Sequence, residues 1–424
     1  MTELKANDLI SLTNGSQARV LKELGRGGQG IVYLVEVAGL KMALKWYINP
    51  PNNKFYKNLQ DNISSGSPSD AFLWPEYLTE RQKGSYGYVM KLRPEGYYEF
   101  GHYLLAKVQF KSYEAMTNAA MKICQGFKDL HLKGSSYQDL NDGNFFIHPE
   151  TGDVLICDND NVFPDGFESG ILGKARYMAP EIVCKKEQPG KPSDRFSLAV
   201  VLFLLFFGNH PFEGSRVLAC PCMTEKFEKK FYGEDPIFIY DPNKTENRPV
   251  RGVHNNVIRR WRIYPEALRE AFIKEFSEEC LTNPSKRMIE ANWQKVIQQI
   301  RDSLVYCPNC GDETFATADN CTCINCGKPV VASGILRIAN RDILLTPKSR
   351  IYVDLDNNPD IQVISVPGDR FPVQLRNLTQ HKWTVETPSG KLRAIESQMT
   401  FPVKAGLKAN IIATNKSHHK GELI

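Results

Sequence analysis

The sequence predicts an α+β protein of two unequal lobes, a small β-rich one and a larger helical one, followed by a cysteine-dense unit and an all-β sandwich or barrel. Three observations lead there. Residues 18–47 turn on glycines between apolar, strand-like runs; from about residue 112 apolar side chains recur three or four apart; and beyond residue 330 the chain returns to short apolar runs divided by turn residues. At 424 residues the chain exceeds one ordinary domain, and 42% apolar with 24% charged residues is globular composition.

Each element follows from its own pattern. Residues 18–24 lead into a glycine turn, residues 31–37 return, and Gly39-Leu40 turns the chain into a third strand over 42–47, stopped by Pro50-Pro51. Phe55, Leu59 and Ile63 have helical spacing, and the polar run 64–69 ends that helix. Shorter strands are expected at 72–74 and 86–92. Met116, Ala119, Ala120, Ile123, Phe127 and Leu130 then form one buried stripe of a helix. Further helices are expected over 194–207, 265–280 and 289–304. The β-rich lobe is read as about 15–92, the helical lobe as about 93–304, the cysteine unit as 305–330, the all-β region as 331–414, and 415–424 as a loose tail. Strands are expected there at 335–338, 351–353, 361–366, 383–385 and 410–412.

Charge and composition narrow the function classes. The formal charge of +5 is spread along the chain, which gives no ground for nucleic-acid binding. The most apolar run, 198–207, is about half a bilayer span and reads as a buried helix. No apolar run follows Met1, and eleven cysteines without a secretory signal argue against a disulfide framework, so a cytoplasmic location is expected.

The chemistry-bearing residues come in a definite order. Gly25, Gly27, Gly28 and Gly30 allow a backbone to turn tightly and bring N–H groups close to phosphate. A dinucleotide-binding turn would open a helix, whereas Ile31-Val32-Tyr33-Leu34-Val35 is a strand, so these glycines cap a hairpin. A hairpin without any ligand is the plainer alternative. Lys45 follows in Met42-Ala43-Leu44-Lys45, a strand whose apolar neighbours hold the core while an ammonium group reaches phosphate. Asp139, Asn144 and Asp158 then give an acid, an amide five positions on, and a second acid ending an apolar strand. One carboxylate can accept a hydroxyl proton while the amide and second acid hold magnesium.

Together these motifs resemble the eukaryotic-like protein kinase family over residues of about 18–300, and the resemblance implies the bilobal protein-kinase fold. Ala179-Pro180-Glu181 looks like the family's end of the activation segment, Asp194-Arg195-Phe196-Ser197 opens the expected apolar helix, and Arg287 would pair with Glu181. The family's pattern implies a serine/threonine protein kinase acting on protein substrates with ATP and magnesium or manganese. By that likeness Asp139 is the base, Asn144 and Asp158 hold the metal, and Lys45 and the glycine loop hold phosphate. Val32 and Ala43 would line the base pocket with Met90 as gatekeeper, and Lys91 to Arg93 would meet adenine through backbone groups. The run 67–75 and Asn247-Arg248-Pro249 are similar to the bacterial kinases of the TerY phosphorylation triad, whose partners are a von Willebrand A protein and a PP2C-type phosphatase.

Several residues depart from the family. Tyr137-Gln138 replaces His-Arg, so a phosphate on the activation segment would lack its usual partner. Ser169 is the segment's one serine or threonine between Asp158 and Glu181, and control by its phosphorylation is not expected. Asn141 stands where the family has a lysine, and Asp158-Asn159-Asp160 replaces Asp-Phe-Gly. The helix after Lys45 has no glutamate, leaving Asp61 as the candidate partner for that lysine. These losses leave open a nucleotide-binding pseudokinase scaffold, while a small-molecule kinase fits less well with the Ala-Pro-Glu platform.

Cys307, Cys310, Cys323 and Cys326 form two CxxC knuckles, each followed by glycine, the spacing of a structural zinc ribbon. Cys321 could replace Cys323, and an iron–sulfur cluster is the other use of four thiolates. Leu375-Arg376-Asn377-Leu378-Thr379 before Trp383 faintly resembles a forkhead-associated domain, though partner or substrate docking is the simpler reading.

Overall fold

The structure is a computed structural model that describes residues 3–167, 170, 173–317, 320–356 and 358–424. Its first sheet is antiparallel and runs β1 (Leu9–Ser11), β2 (Gln17–Arg26), β3 (Gly30–Val37), β4 (Leu40–Tyr47), β6 (Gly87–Lys91), β5 (Pro75–Leu78). β3 alternates buried and half-buried residues as a one-sided strand does, whereas the last six residues of β4 are all buried. The lobe begins earlier than residue 15: β1 pairs with β2, and Leu4 is buried with Ile10 and Leu12 in the same apolar cluster. The strand expected at 72–74 is only a bridge from Phe72 to Ile156, since Pro75 begins β5 beyond it.

Helix α1 (Asn53–Ser65) starts where the Asn52 side chain accepts from the Phe55 N–H and stops at Gly66, whose φ of +70° suits glycine. The helical lobe opens with β7 (Tyr98–Glu99), α2 (Phe100–Leu104) and α3 (Tyr113–Leu132), whose predicted stripe is fully inside. β8 (Ser135–Ser136), β9 (Phe145–Ile147) and β10 (Val154–Ile156) carry the loops of the site. Short helix α4 (Pro180–Val183) precedes α5 (Lys191–Phe207), which is apolar almost all round and lies in the centre of the lobe. No helix among the described residues is long and apolar enough to cross a membrane. Residues 265–280 form two helices, Glu266–Glu275 and Glu278–Thr282, because Ser277 breaks the first and caps the second.

Arg287 and Glu181 meet as expected, in two hydrogen bonds of 2.7 Å that tie the end of the activation segment to the base of the lobe. Past the last helix of the lobe, Glu290–Ser303, a two-stranded hairpin pairs Leu304–Tyr306 with Glu313–Phe315; its turn carries Cys307 and Cys310, and the chain after it brings Cys323 and Cys326 beside them.

Residues beyond 334 form two sheets sharing one apolar core. The larger runs Arg341–Leu344, Ile335–Ile338, His418–Leu423, Lys408–Ile412, Trp383–Glu386, Leu392–Ile395; the smaller runs Arg350–Ile351, Ile361–Ser365, Val373–Asn377, Thr400–Pro402. The stretch expected as a loose tail is therefore a central strand. His418–Leu423 looks polar because its outward residues are His418, Lys420 and Glu422, while Gly421 and Leu423 face the core. The strand expected at 351–353 ends at Ile351, since Tyr352 turns away to donate its hydroxyl to Glu114 of α3.

Candidate active site

The glycine turn joins β2 to β3, and Gly27 N–H donates to Gly30 O at 2.9 Å. A Cβ on Gly30 would stand 2.5 Å from Trp46 O, so a side chain there would part the hairpin from β4. Gly27 and Gly28 have no close neighbour over their Cα atoms, which leaves their backbone open to a ligand. Gly25 pairs with Val32 inside the hairpin. Val32 and Ala43 meet Met90, Cys157, Leu155, Phe146 and Leu92 in one apolar cluster. Met90 is buried on β6, and Lys91 and Arg93 are exposed just after it; the Arg93 guanidinium lies 4.0 Å from the Phe146 ring.

Lys45 projects from β4 into the cleft and is almost wholly buried. Its Nζ lies 2.9 Å from Asp160 Oδ2, 3.2 Å from Asp158 Oδ1 and 3.4 Å from Gln29 Oε1. Burial alone would lower the lysine pKa, but the charges of Asp160 and Asp158 raise it above its ordinary value. Asp61 does not meet Lys45. It is exposed and pairs with Lys57 one helical turn away, at 2.8 Å, on the outer face of α1. Asp160 takes the place expected of it. That carboxylate is completely buried, and the Tyr47 and Tyr88 hydroxyls donate to it at 2.6 and 3.1 Å from β4 and β6. Both tyrosines are held protonated, by burial first and by the Asp160 charge second.

The segment around Asp160 is fixed on every side. Asp158 has a left-handed backbone, φ 54° and ψ 40°, which turns the chain from β10 into the 3-10 turn Asn159–Asn161. Asn159, standing where the family has phenylalanine, is buried and donates to Leu73 O and Ile156 O. Asn58 and Asn62 of α1 both donate to Val162 O, at 2.7 and 3.0 Å. Helix α1 therefore holds the segment through two amides, and the segment supplies the charge for Lys45.

On the opposite wall the loop after β8 runs through Asp139 to Asn144. Asp194 at the start of α5 accepts from the Tyr137 and Gln138 N–H groups, at 2.6 and 3.2 Å, which fixes this loop to the core of the lobe. Asn144 is buried, and its Oδ1 accepts from Asn141 N–H at 2.7 Å. Burial raises the Asp139 pKa, with the Asn141 amide and the Lys174 charge opposing it. Gln138 Nε2 donates to Phe167 O at 2.9 Å, so a neutral amide braces the activation segment where the family has an arginine. Ser169 lies outside the described residues.

This arrangement sets one buried cation, an aspartate on a core-anchored loop, and two oxygen ligands around the floor of a glycine-roofed cleft. Asn144 and Asp158 offer oxygen donors alone, and about half of the Asp158 carboxylate is exposed toward the cleft, which suits a hard divalent cation. Residues 18–289 match the protein kinase domain family. The chain belongs to the protein kinase family. A protein kinase domain implies ATP and magnesium. Mouse protein kinase C delta type is 29% identical over 206 residues, covering 46% of this kinase and 29% of that protein. CBL-interacting serine/threonine-protein kinase 7 of Arabidopsis thaliana is 28% identical over 107 residues, 24% of either chain. Serine/threonine-protein kinase 40 of Gallus gallus is 31% identical over 90 residues, 20% of this kinase and 21% of that protein. This kinase spans less than a third of the length of the curated relatives named.

Asp160 and Lys174 were not among the expected site residues. The signal for Asp160 was an acid two places after the metal ligand in a chain lacking the helix glutamate. For Lys174 it was a lysine close before Ala179-Pro180-Glu181 in a chain with Asn141 on the loop.

The second cluster is separate. Sγ atoms of Cys307, Cys310, Cys323 and Cys326 all lie within 4.8 Å of one another, with 3.8 Å from Cys307 to Cys326 and from Cys310 to Cys323. Zinc–thiolate bonds of about 2.3 Å in a tetrahedron put the sulfurs about 3.8 Å apart. The four-thiolate cluster is compatible with a bound zinc ion.

Proposed function

We propose that this chain is an ATP- and magnesium-dependent serine/threonine protein kinase. The observation that carries the reading is the pairing of Lys45 with Asp158 and Asp160 across the cleft, opposite the anchored Asp139 loop. Asp139 orients the substrate hydroxyl and takes its proton as that oxygen bonds to the γ-phosphorus. The bond to the β–γ bridging oxygen breaks, and ADP leaves with the electron pair. Lys45 and the backbone of Gly27 to Gly30 hold phosphate oxygens, and Asp160 keeps Lys45 aimed at them. Asn144 and Asp158 would hold magnesium, which supplies positive charge toward the β- and γ-phosphates. Val32, Ala43, Met90 and Phe146 enclose the base, with Lys91 and Arg93 at the rim.

Zinc in the four-cysteine cage has a structural role, since four thiolates leave no open position. The ribbon and the two C-terminal sheets, the latter faintly like a forkhead-associated domain, serve partner or substrate docking. By the resemblance in residues 67–75, those partners include a von Willebrand A protein and a PP2C-type phosphatase.

Incubation with labelled ATP, magnesium or manganese, and a general protein substrate tests the activity, with phosphosites mapped by mass spectrometry. Transfer to serine or threonine that Asp139→Ala abolishes supports the enzyme. No transfer by wild type, with nucleotide still bound, would instead make the chain a scaffold, the reading favoured by Asn141 in place of lysine.

A further inference from the structure

The loop that carries Asp139 has lost the lysine that its family uses against the transferring phosphoryl group, yet an ammonium group stands beside the asparagine that replaces it. Lys174, from the far end of the activation segment, lies with its Nζ 2.9 Å from Asn141 Oδ1 and 3.7 Å from Asp142 Oδ1. Asn141 in turn donates through Nδ2 to Asp139 O and Oδ1, at 3.1 and 3.3 Å. One asparagine thus spans the base and the lysine. Resting on the kinase reading above, we propose that Lys174 supplies, from the activation segment of the same chain, the charge that Asn141 cannot, touching the γ-phosphoryl group during transfer.

The backbone is built to place it there. Gly173, with φ of +77°, passes so close to the base that a Cβ would stand 2.9 Å from Asp139 Oδ1. Any other residue would be strained by its backbone and would crowd that carboxylate, so the position before Lys174 admits glycine for two reasons. Immediately after Lys174 the segment is pinned. Tyr177 N–H closes a turn onto Lys174 O at 2.9 Å, Ser197 of α5 donates to Tyr177 O at 2.7 Å, and the His210 ring meets Arg176 O at 2.6 Å. The lysine therefore stands on a braced platform.

Its surroundings leave it usable. Lys45 is already committed to Asp158 and Asp160. Lys174 has a side chain 59% exposed, and its ion pair with Asp142 is long and solvated, worth little as a structural link. Charge held ready beside the base, on a fixed backbone, is what stabilises negative charge spreading over phosphoryl oxygens. Two hydrogen-bonding residues have exchanged duties: the loop provides the amide, and the activation segment provides the cation.

Four full-length variants decide it: Lys174→Gln, Lys174→Arg, Asn141→Lys, and Asn141→Lys with Lys174→Gln. Glutamine keeps a hydrogen bond to Asn141 but removes the charge. The expected result is a fall in kcat of roughly 10²-fold for Lys174→Gln, with superimposable melting curves, and a smaller loss for Lys174→Arg. The double variant should regain at least about tenfold, because the charge returns from the loop side. Displacement of a fluorescent nucleotide gives a readout apart from turnover: Lys174→Gln should weaken ATP several-fold and leave ADP unchanged. Wild-type kcat in Lys174→Gln would make the lysine a tether and overturn the proposal. A higher kcat would make it a plug, and failure of the double variant to recover would remove the charge argument. A wild-type chain that neither binds ATP nor transfers phosphate fails the kinase reading itself, a result distinct from these.

Discussion

Two carboxylates two residues apart divide the work around Lys45: Asp158 faces the cleft, and Asp160 is sealed beneath two tyrosine hydroxyls. Asp160→Asn should therefore cost roughly 10²-fold in kcat and lower stability by about 3–5 kcal/mol, since it leaves Lys45 buried without its main counter-charge. Asp61→Asn should leave both within about twofold, and steady-state kinetics with urea titrations of the pair check the assignment. A second residue sets a pH limit. His131 is buried between Asp194 and Glu290, at 3.0 and 2.8 Å; burial would pull its pKa down, but the hydrogen bonds its ring donates to both carboxylates lift it to about 9. A pKa raised on folding gives stability that is complete below about pH 6.5 and lost as pH climbs through about 9. The urea midpoint should fall between those values, and His131→Asn should flatten that fall. The placing of Lys45, Asp139, Asn144 and Asp158 about one cleft was legible because each sits at a fixed spacing within a local motif. The Lys45 partner was not, because the burial of Asp160 depends on hydroxyls from two strands over 70 residues away from it in sequence.

At the scale of elements, Val162 and Phe167 of the activation segment are held by neutral groups. Asn58 and Asn62 hold its root through Val162 O, and Gln138 holds Phe167 O. Activity should thus be unchanged after phosphatase treatment, and a large gain that tracks phosphate on Ser169 would contradict this. The ribbon acts on a helix in a similar way. Glu313 of the ribbon hairpin accepts from the Tyr113 and Glu114 N–H groups at the start of α3, at 2.6 and 3.3 Å, and Phe315 packs edge-on against Tyr113. A carboxylate at a helix N-terminus adds to the cap that Ser112 already makes. Chelating zinc should lower the melting temperature and speed amide exchange in the first turn of α3; Glu313→Ala should cost about 1 kcal/mol with zinc retained. The helices α1 and α3 could be read from periodicity, which reports burial of one face, and α5 from its continuous apolar run. The contact from Glu313 could not, because a lone glutamate in a cysteine-dense unit carries no periodic signal.

Across the whole molecule, one patch of the helical lobe receives both the ribbon and the C-terminal sheets. Tyr352 donates to Glu114, Gln298 donates to Tyr352 O, and Arg341 lies 2.9 Å from both Asp302 carboxylate oxygens. Asp302 is mostly buried, so Arg341→Ala should take away its ion-pair partner, leave it the Gln298 amide, and separate the sheets' unfolding from that of the lobe. Calorimetry should then resolve two transitions where wild type shows more overlap. Much of the sheet region was obscure in sequence: the strands at Arg341–Leu344, Val373–Asn377, Leu392–Ile395, Thr400–Pro402 and His418–Leu423 are short, and alternation over three to six residues is easily hidden.

The shared root of Asp158 and Asp160 has a pharmacological consequence. An inhibitor that must swing this turn out of the cleft would take the metal ligand and the lysine's counter-ion away together. Lys45 would be stranded in a buried pocket, an expense of several kcal/mol charged against affinity. Compounds confined to the base slot avoid that penalty. Matched pairs of such ligands should show selectivity against this kinase only for the type that displaces the turn, and Asp160→Asn should erase the difference.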